Sequence, residues 1–202
     1  MIAGPIVAWG KAGRALGDAP ESGDLHVVTP FREGALVALI NGLGHGPEAA
    51  EAARAAAEIL SAHAEQPVRA LIELCHEGLR RTRGAVMTVA SFDARLSAMT
   101  WAGVGNVDAE LVRAAPTRPS REVIALRGGV VGYNLPSFQS SMVKVERGDT
   151  LVLATDGIKS TFHGSVPLDF SPAEIAESIL ALHGRDDDDA LVLVARYQGG
   201  PP

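Results

Sequence analysis

One cysteine, Cys75, stands in a chain of 202 residues, and aromatic residues make up only 4%. A single thiol excludes an internal disulfide and fits a reducing compartment. So few aromatics argue against base-stacking platforms and aromatic ligand cages. No stretch of roughly 18 residues is free of charges and turn formers, so no transmembrane helix is expected. The start, Met1-Ile2-Ala3-Gly4-Pro5, lacks a basic segment before an apolar run, so no secretion signal is expected and the chain reads as cytoplasmic. Cationic charge is also scarce. Lys and Arg total 18 against 24 Asp and Glu, a formal charge of −6. That disfavours nucleic acid as a partner, because phosphate neutralisation needs a basic face.

What is present is an ordinary globular composition, 47% hydrophobic and 21% charged. No internal repeat or long linker divides it. A single domain over 1–198 is expected, with a short tail at 199–202. Short strands are predicted at 6–9 and 25–29, and the continuous apolar run 34–40 reads as a buried strand. Pro47 opens an Ala-rich helix over 47–63. A second helix begins near Pro67, with Val68, Leu71, Ile72, Cys75 and Leu79 in one apolar stripe. Within that stripe Cys75 reads as a buried thiol rather than a reactive one.

Strands follow at 85–92, 96–104, 109–114 and 122–126, the first two joined by a turn at Asp93-Ala94-Arg95. Two more are expected at 141–145 and 150–154. Ser171-Pro172-Ala173-Glu174 is a capping box opening a helix to about 182. A last strand is expected at 190–196. Strand-rich stretches with helices grouped between them imply an α+β fold, most simply two sheets covered by helices.

Four segments put acidic or amide groups beside apolar strands. They are Ser22-Gly23-Asp24, Asn41-Gly42-Leu43-Gly44-His45-Gly46, Thr155-Asp156-Gly157 and Asp186-Asp187-Asp188-Asp189. Carboxylates at strand ends, with glycines allowing close backbone approach, suit hard divalent cations. Singly, each is also an ordinary turn or solvated loop. The glycine cluster lacks the G-x-G-x-x-G spacing of a dinucleotide turn and the Gly-Lys-Ser/Thr of a P-loop.

The order of these motifs resembles the metal-dependent type 2C (PPM) serine/threonine protein phosphatases, in particular their SpoIIE-like branch. The likeness also takes in Arg83-Gly84-Ala85, Trp101 to Val107, Gly148-Asp149-Thr150 and Asp188-Asp189-Ala190. The length, without an attached sensor domain, is similar to the stand-alone phosphatases of the bacterial stressosome. The resemblance implies an αββα sandwich: two antiparallel β-sheets between helix pairs. It implies a two-metal centre of Mn²⁺ or Mg²⁺ at one edge. Carried over by position, Asp156 and Asp188 bind one metal, position 41 bridges both, and the Gly42 carbonyl binds the second. Asp24 acts on the second metal through water. His45 reads either as proton donor to the leaving alkoxide or as a surface loop histidine. The implied partners are phosphorylated STAS-domain proteins of the RsbS and RsbR kind, acted on by a monomer.

The chain departs from that pattern at position 41, where the family has Asp and this sequence has Asn41. An amide offers one neutral carbonyl oxygen and an NH₂ that cannot ligate. The expectation is a weakened binuclear site. Three readings stay open: an impaired phosphatase that binds phosphoproteins, an introduced Asp→Asn change, or a site that works with Asn41 at high metal. Leu191, where the family often has Thr or Ser, is a smaller departure. Asn106 reads as a residue holding loop geometry. Gly128, Gly129 and Gly132 read as a flap or a plain loop. Arg81 and Arg83 read as phosphate contacts or an exposed helix end.

Overall fold

The apolar run at 34–40 is buried on both sides, and that double burial organises the molecule. The computed structural model describes residues 5–16, 21–115 and 119–200. The first four residues, part of the first loop (17–20) and the end of the expected tail (201–202) lie outside the described residues. The strands are β1 (Val7–Arg14), β2 (Asp24–Phe31), β3 (Gly34–Gly42), β4 (Ala85–Asp93), β5 (Ala98–Val104) and β6 (Asp108–Val112), then β7 (Arg121–Val123), β8 (Ser141–Lys144), β9 (Thr150–Ala154) and β10 (Ala190–Tyr197). The helices are α1 (Pro47–Ala62), α2 (Val68–Gly78) and α3 (Pro172–His183), with a 3₁₀ turn at Ser160–Phe162.

Two five-stranded antiparallel sheets form, in the orders β1-β10-β9-β6-β7 and β2-β3-β4-β5-β8. Side chains alternate across a strand. Val37 and Leu39 of β3 therefore enter the core between the sheets, with Leu111, Leu151, Leu153 and Leu193 from the other sheet. Leu36, Ala38 and Ile40 face the opposite way, against Ala53, Ala56 and Leu60 of α1 and Leu71, Ile72 and Cys75 of α2. A third core seats Ile175, Ala176 and Ile179 of α3 on β9 and β10. A strand covered on both faces has no position for a polar residue, which is why its sequence does not alternate.

The α+β sandwich of two antiparallel sheets is as expected. The capping box closes in both directions, with Glu174 N–H donating to Ser171 Oγ and Ser171 N–H to Glu174. Cys75 is buried, and burial pushes its thiol up to about 12, which leaves it an inert packing residue.

Several expectations change. Helix pairs do not cover both sheets: among the described residues α1 and α2 cover one, and α3 with the 3₁₀ turn covers the other. The strand expected at 6–9 runs to Arg14, because β10 pairs with it along its whole length from Val7↔Tyr197 to Arg14↔Ala190. Leu96 lies in the β4–β5 turn and not in a strand. Asp93 Oδ1 accepts from the N–H groups of Arg95 and Leu96, and Ser97 turns at φ 44°. The strand expected at 122–126 is only Arg121–Val123, since its continuation leaves for a bridge between Arg127 and Val104.

Candidate active site

The polar segments singled out in the sequence meet where β2, β3, β9 and β10 reach one edge of the sandwich. Antiparallel pairing sets Asp24, at the start of β2, directly across from Asn41, near the end of β3. Asp156 follows β9, and Asp188 and Asp189 precede β10. Two glycines let the chain pass this closely. A Cβ on Gly42 would stand 2.0 Å from the Ala49 carbonyl oxygen, and one on Gly157 would stand 1.9 Å from that of Asp189.

Asp156 is held from both sides by amides. Asn41 Nδ2 donates to its Oδ1 at 2.8 Å, and Asn106 Nδ2 donates to its Oδ2 at 2.9 Å. The sequence alone suggests no more for Asn106 than a loop former. Its donation to Asp156 links positions 50 apart in the chain, a relationship no local pattern carries.

Behind this pair lies Asp24, only 5% exposed. Its Oδ2 accepts from Thr155 Oγ1 at 2.7 Å, while its Oδ1 is buried without a hydrogen-bond partner among the described residues. Burial raises its pKa from the ordinary 3.8 to about 7, and the charges of Asp189, Asp156 and Asp188 push the same way against the Thr155 hydrogen bond. Burial, then the neighbouring Asp156 charge, also raises the pKa of Asp188.

Thr155 is the joint of the site. Its Oγ1 accepts from Leu191 N–H at 2.9 Å while donating to Asp24. Leu191 thus serves the site through its backbone, and its side chain packs between the sheets. Asp189, passed over in favour of Asp188, ties the edge together: it accepts from Gly23 N–H at 2.8 Å and Leu16 N–H at 2.6 Å.

A cleft of about 620 Å³ opens over these groups. Its lining includes Asn41, His45, Asn106, Asp156, Asp187 and Asp188. His45 is exposed on it, and Gly128 and Gly129 form part of its wall. Among the described residues no Lys or Arg is part of its lining. Arg83 is paired with Glu48, its guanidinium beside Gly44 of the cleft lining, and Arg81 is exposed. The Gly148-Asp149-Thr150 motif is structural: Asp149 is buried, pairs with Arg113 at 2.9 Å and accepts from the N–H groups of Ala114 and Glu146.

The donors suit a hard cation only in part. Asp156 and Asp188 supply charged oxygens at the cleft, and Asp24 has an unpartnered buried oxygen behind them. Asn41 does not fit a bridging role, since its NH₂ is turned to Asp156 and an amide has one ligating oxygen. Among the described residues no three His, Cys, Asp or Glu side chains are grouped to hold a metal ion.

Residues 32–198 match the family described as Stage II sporulation protein E (SpoIIE). Phosphoserine phosphatase RsbX of Bacillus subtilis (strain 168) is 24% identical over 123 residues, 61% of this chain and 60% of that protein. The match thus spans well under two thirds of that relative's length. A structure solved in work on the bacterial stressosome, as a modular system adapted to control secondary messenger signaling, superposes with a TM-score of 0.85 at 30% identity. That superposition covers 94% of this chain and 99% of the other. RsbX crystallised with magnesium superposes with a TM-score of 0.83 at 19% identity, covering 95% and 96%, a likeness of fold. With the sandwich, the edge cleft and its motifs in place, the chain belongs to the SpoIIE family of PPM-type phosphatases.

Proposed function

We propose that this chain is a metal-dependent protein-serine/threonine phosphatase of reduced activity, acting on phosphorylated STAS-domain proteins in a stress-response switch. The observation that carries the reading is the convergence of Asn41, Asp156 and Asp188 on one cleft edge. The substrate class rests on the likeness to RsbX and to the stressosome protein.

The residues have distinct tasks. Asp156 and Asp188 would hold the cation, and Asn106 fixes the Asp156 carboxylate in rotation. The cation, when bound, supplies charge neutralisation and an acidified water. Thr155 and Asp189 hold the backbones that carry Asp24, Asp156 and the last strand. His45, exposed on the cleft, is our candidate for the group that gives a proton to the departing serine or threonine oxygen.

A second reading has one observation behind it. The hydrogen bond from Asn41 to Asp156 puts a donor where the family puts a bridging carboxylate, which favours a phosphoprotein-binding domain without turnover. Phosphate release from a phosphoserine STAS-domain protein, with Mn²⁺ and with chelator, separates the two. Metal-dependent release by this chain, increased in Asn41→Asp, supports the phosphatase. Binding with no release by either protein supports the binding domain.

A further inference from the structure

The carboxylates of the site are unevenly placed, and the amide at position 41 is the cause. On one side stand Asp156 and Asp188, two charged groups facing the cleft, with Asp187 also on its lining. On the other side, at the β3 end, stand the neutral Asn41 side chain and Gly42 backbone, and the only carboxylate among the described residues paired there is the buried Asp24, across from Asn41.

Asn41 cannot join the two sides. Its Nδ2 is committed to Asp156 Oδ1 at 2.8 Å, so its one ligating oxygen turns away from that carboxylate. A bridge needs two charged oxygens on one side chain, each toward its own cation.

Asp24 supplies an independent sign that positive charge belongs here. It is 5% exposed, and its Oδ1 has no hydrogen-bond partner among the described residues. An oxygen buried without a donor is costly, and this one lies in the field of Asp189, Asp156 and Asp188. A single cation on the Asp156–Asp188 side offsets that field. Two divalent cations with no bridging carboxylate between them would face each other with too few anionic ligands, since hard cations are retained chiefly by charged oxygens.

We infer that this chain binds one divalent cation, held by Asp156 and Asp188, and that Asn41 removes the place for a second. The inference rests on the site assignment above and not on turnover. It makes Asn41 the determinant of metal number as well as of rate.

The test is Mn²⁺ titration of the metal-free chain by calorimetry and electron paramagnetic resonance. One Mn²⁺ per chain with an uncoupled six-line spectrum is expected. Asn41→Asp should take up two, with the broadened spectrum of a spin-coupled pair. Asp188→Asn, in the otherwise unchanged chain, should lose the single ion, with circular dichroism confirming the fold. Two coupled ions in the unchanged chain, none at millimolar Mn²⁺, or one ion surviving Asp188→Asn would each overturn the inference. Phosphate release measured on the same samples reads the phosphatase proposal separately: an inactive chain that binds one ion sinks the activity and leaves the stoichiometry standing.

Discussion

Asn41 and Asp156 lie 115 positions apart in the chain, yet the Asn41 amide donates to the Asp156 carboxylate at 2.8 Å. The contact joins the ends of β3 and β9, one from each sheet. It places a hydrogen-bond donor against a carboxylate that lines the cleft. Replacing Asn41 by Asp removes that donor and adds a charged oxygen pair. Asn41→Asp should raise Mn²⁺-dependent phosphate release by at least about tenfold, the scale seen when groups around a metal site are changed. Equal release by the two proteins would show that position 41 does not limit the reaction.

Asp24 gives a pH dependence with a definite sign. Its pKa is raised from 3.8 to about 7, chiefly by burial. Between those two pH values the folded chain holds a proton that the unfolded chain has released. Stability is therefore greatest below pH 4 for this group and falls as pH rises toward 7. A shift of this size corresponds to roughly 4 kcal/mol. In metal-free buffer, Asp24→Asn should lose less stability than the unchanged chain between pH 5 and pH 8. Urea midpoints at the two pH values check this, and identical losses would place the charge of Asp24 elsewhere.

The fold was legible where periodicity and turn chemistry agree. The β3 run, the Ala-rich α1 and the Ser171–Glu174 cap all form where the sequence puts them. Its misses are long-range. The extension of β1 to Arg14 is imposed by β10, at the far end of the chain. The site was half legible for the same reason. Motif order placed Asp24, Asn41, Asp156 and Asp188 on one edge. The tasks of Asn106, Thr155 and Asp189 follow only from contacts across 50, 131 and 166 positions.

The cleft's charge bears on binding as well as on turnover. Asp156, Asp187 and Asp188 line it, and among the described residues no Lys or Arg does. A phosphoserine dianion brought there without a cation meets carboxylates at close range in a partly desolvated space, where like charges repel strongly. Chelation should therefore weaken phosphoprotein binding, not merely stop phosphate release. Fluorescence anisotropy of a labelled phosphoprotein, with Mn²⁺ and with chelator, reads the difference directly. Tight binding under chelation would mean the phosphate is received somewhere other than this cleft.

Asp149 tests the division between motif and mechanism. It belongs to the run of family-like motifs, but its contacts are with Arg113, Ala114 and Glu146, and it does not line the cleft. Asp149 is 2% exposed and Arg113 is largely covered, their side chains at 2.9 Å. Removing Asp149 leaves Arg113 with Glu122 as its remaining carboxylate partner and loses a charge-assisted hydrogen bond worth about 2 kcal/mol. Replacing Asp149 by Ala also frees the two backbone N–H groups it caps, adding to the loss. Asp149→Ala should therefore lower the melting temperature by many degrees. Metal stoichiometry and phosphate release per folded molecule should stay as they are below the transition. A variant that melts normally but loses its metal would move Asp149 from scaffold to site.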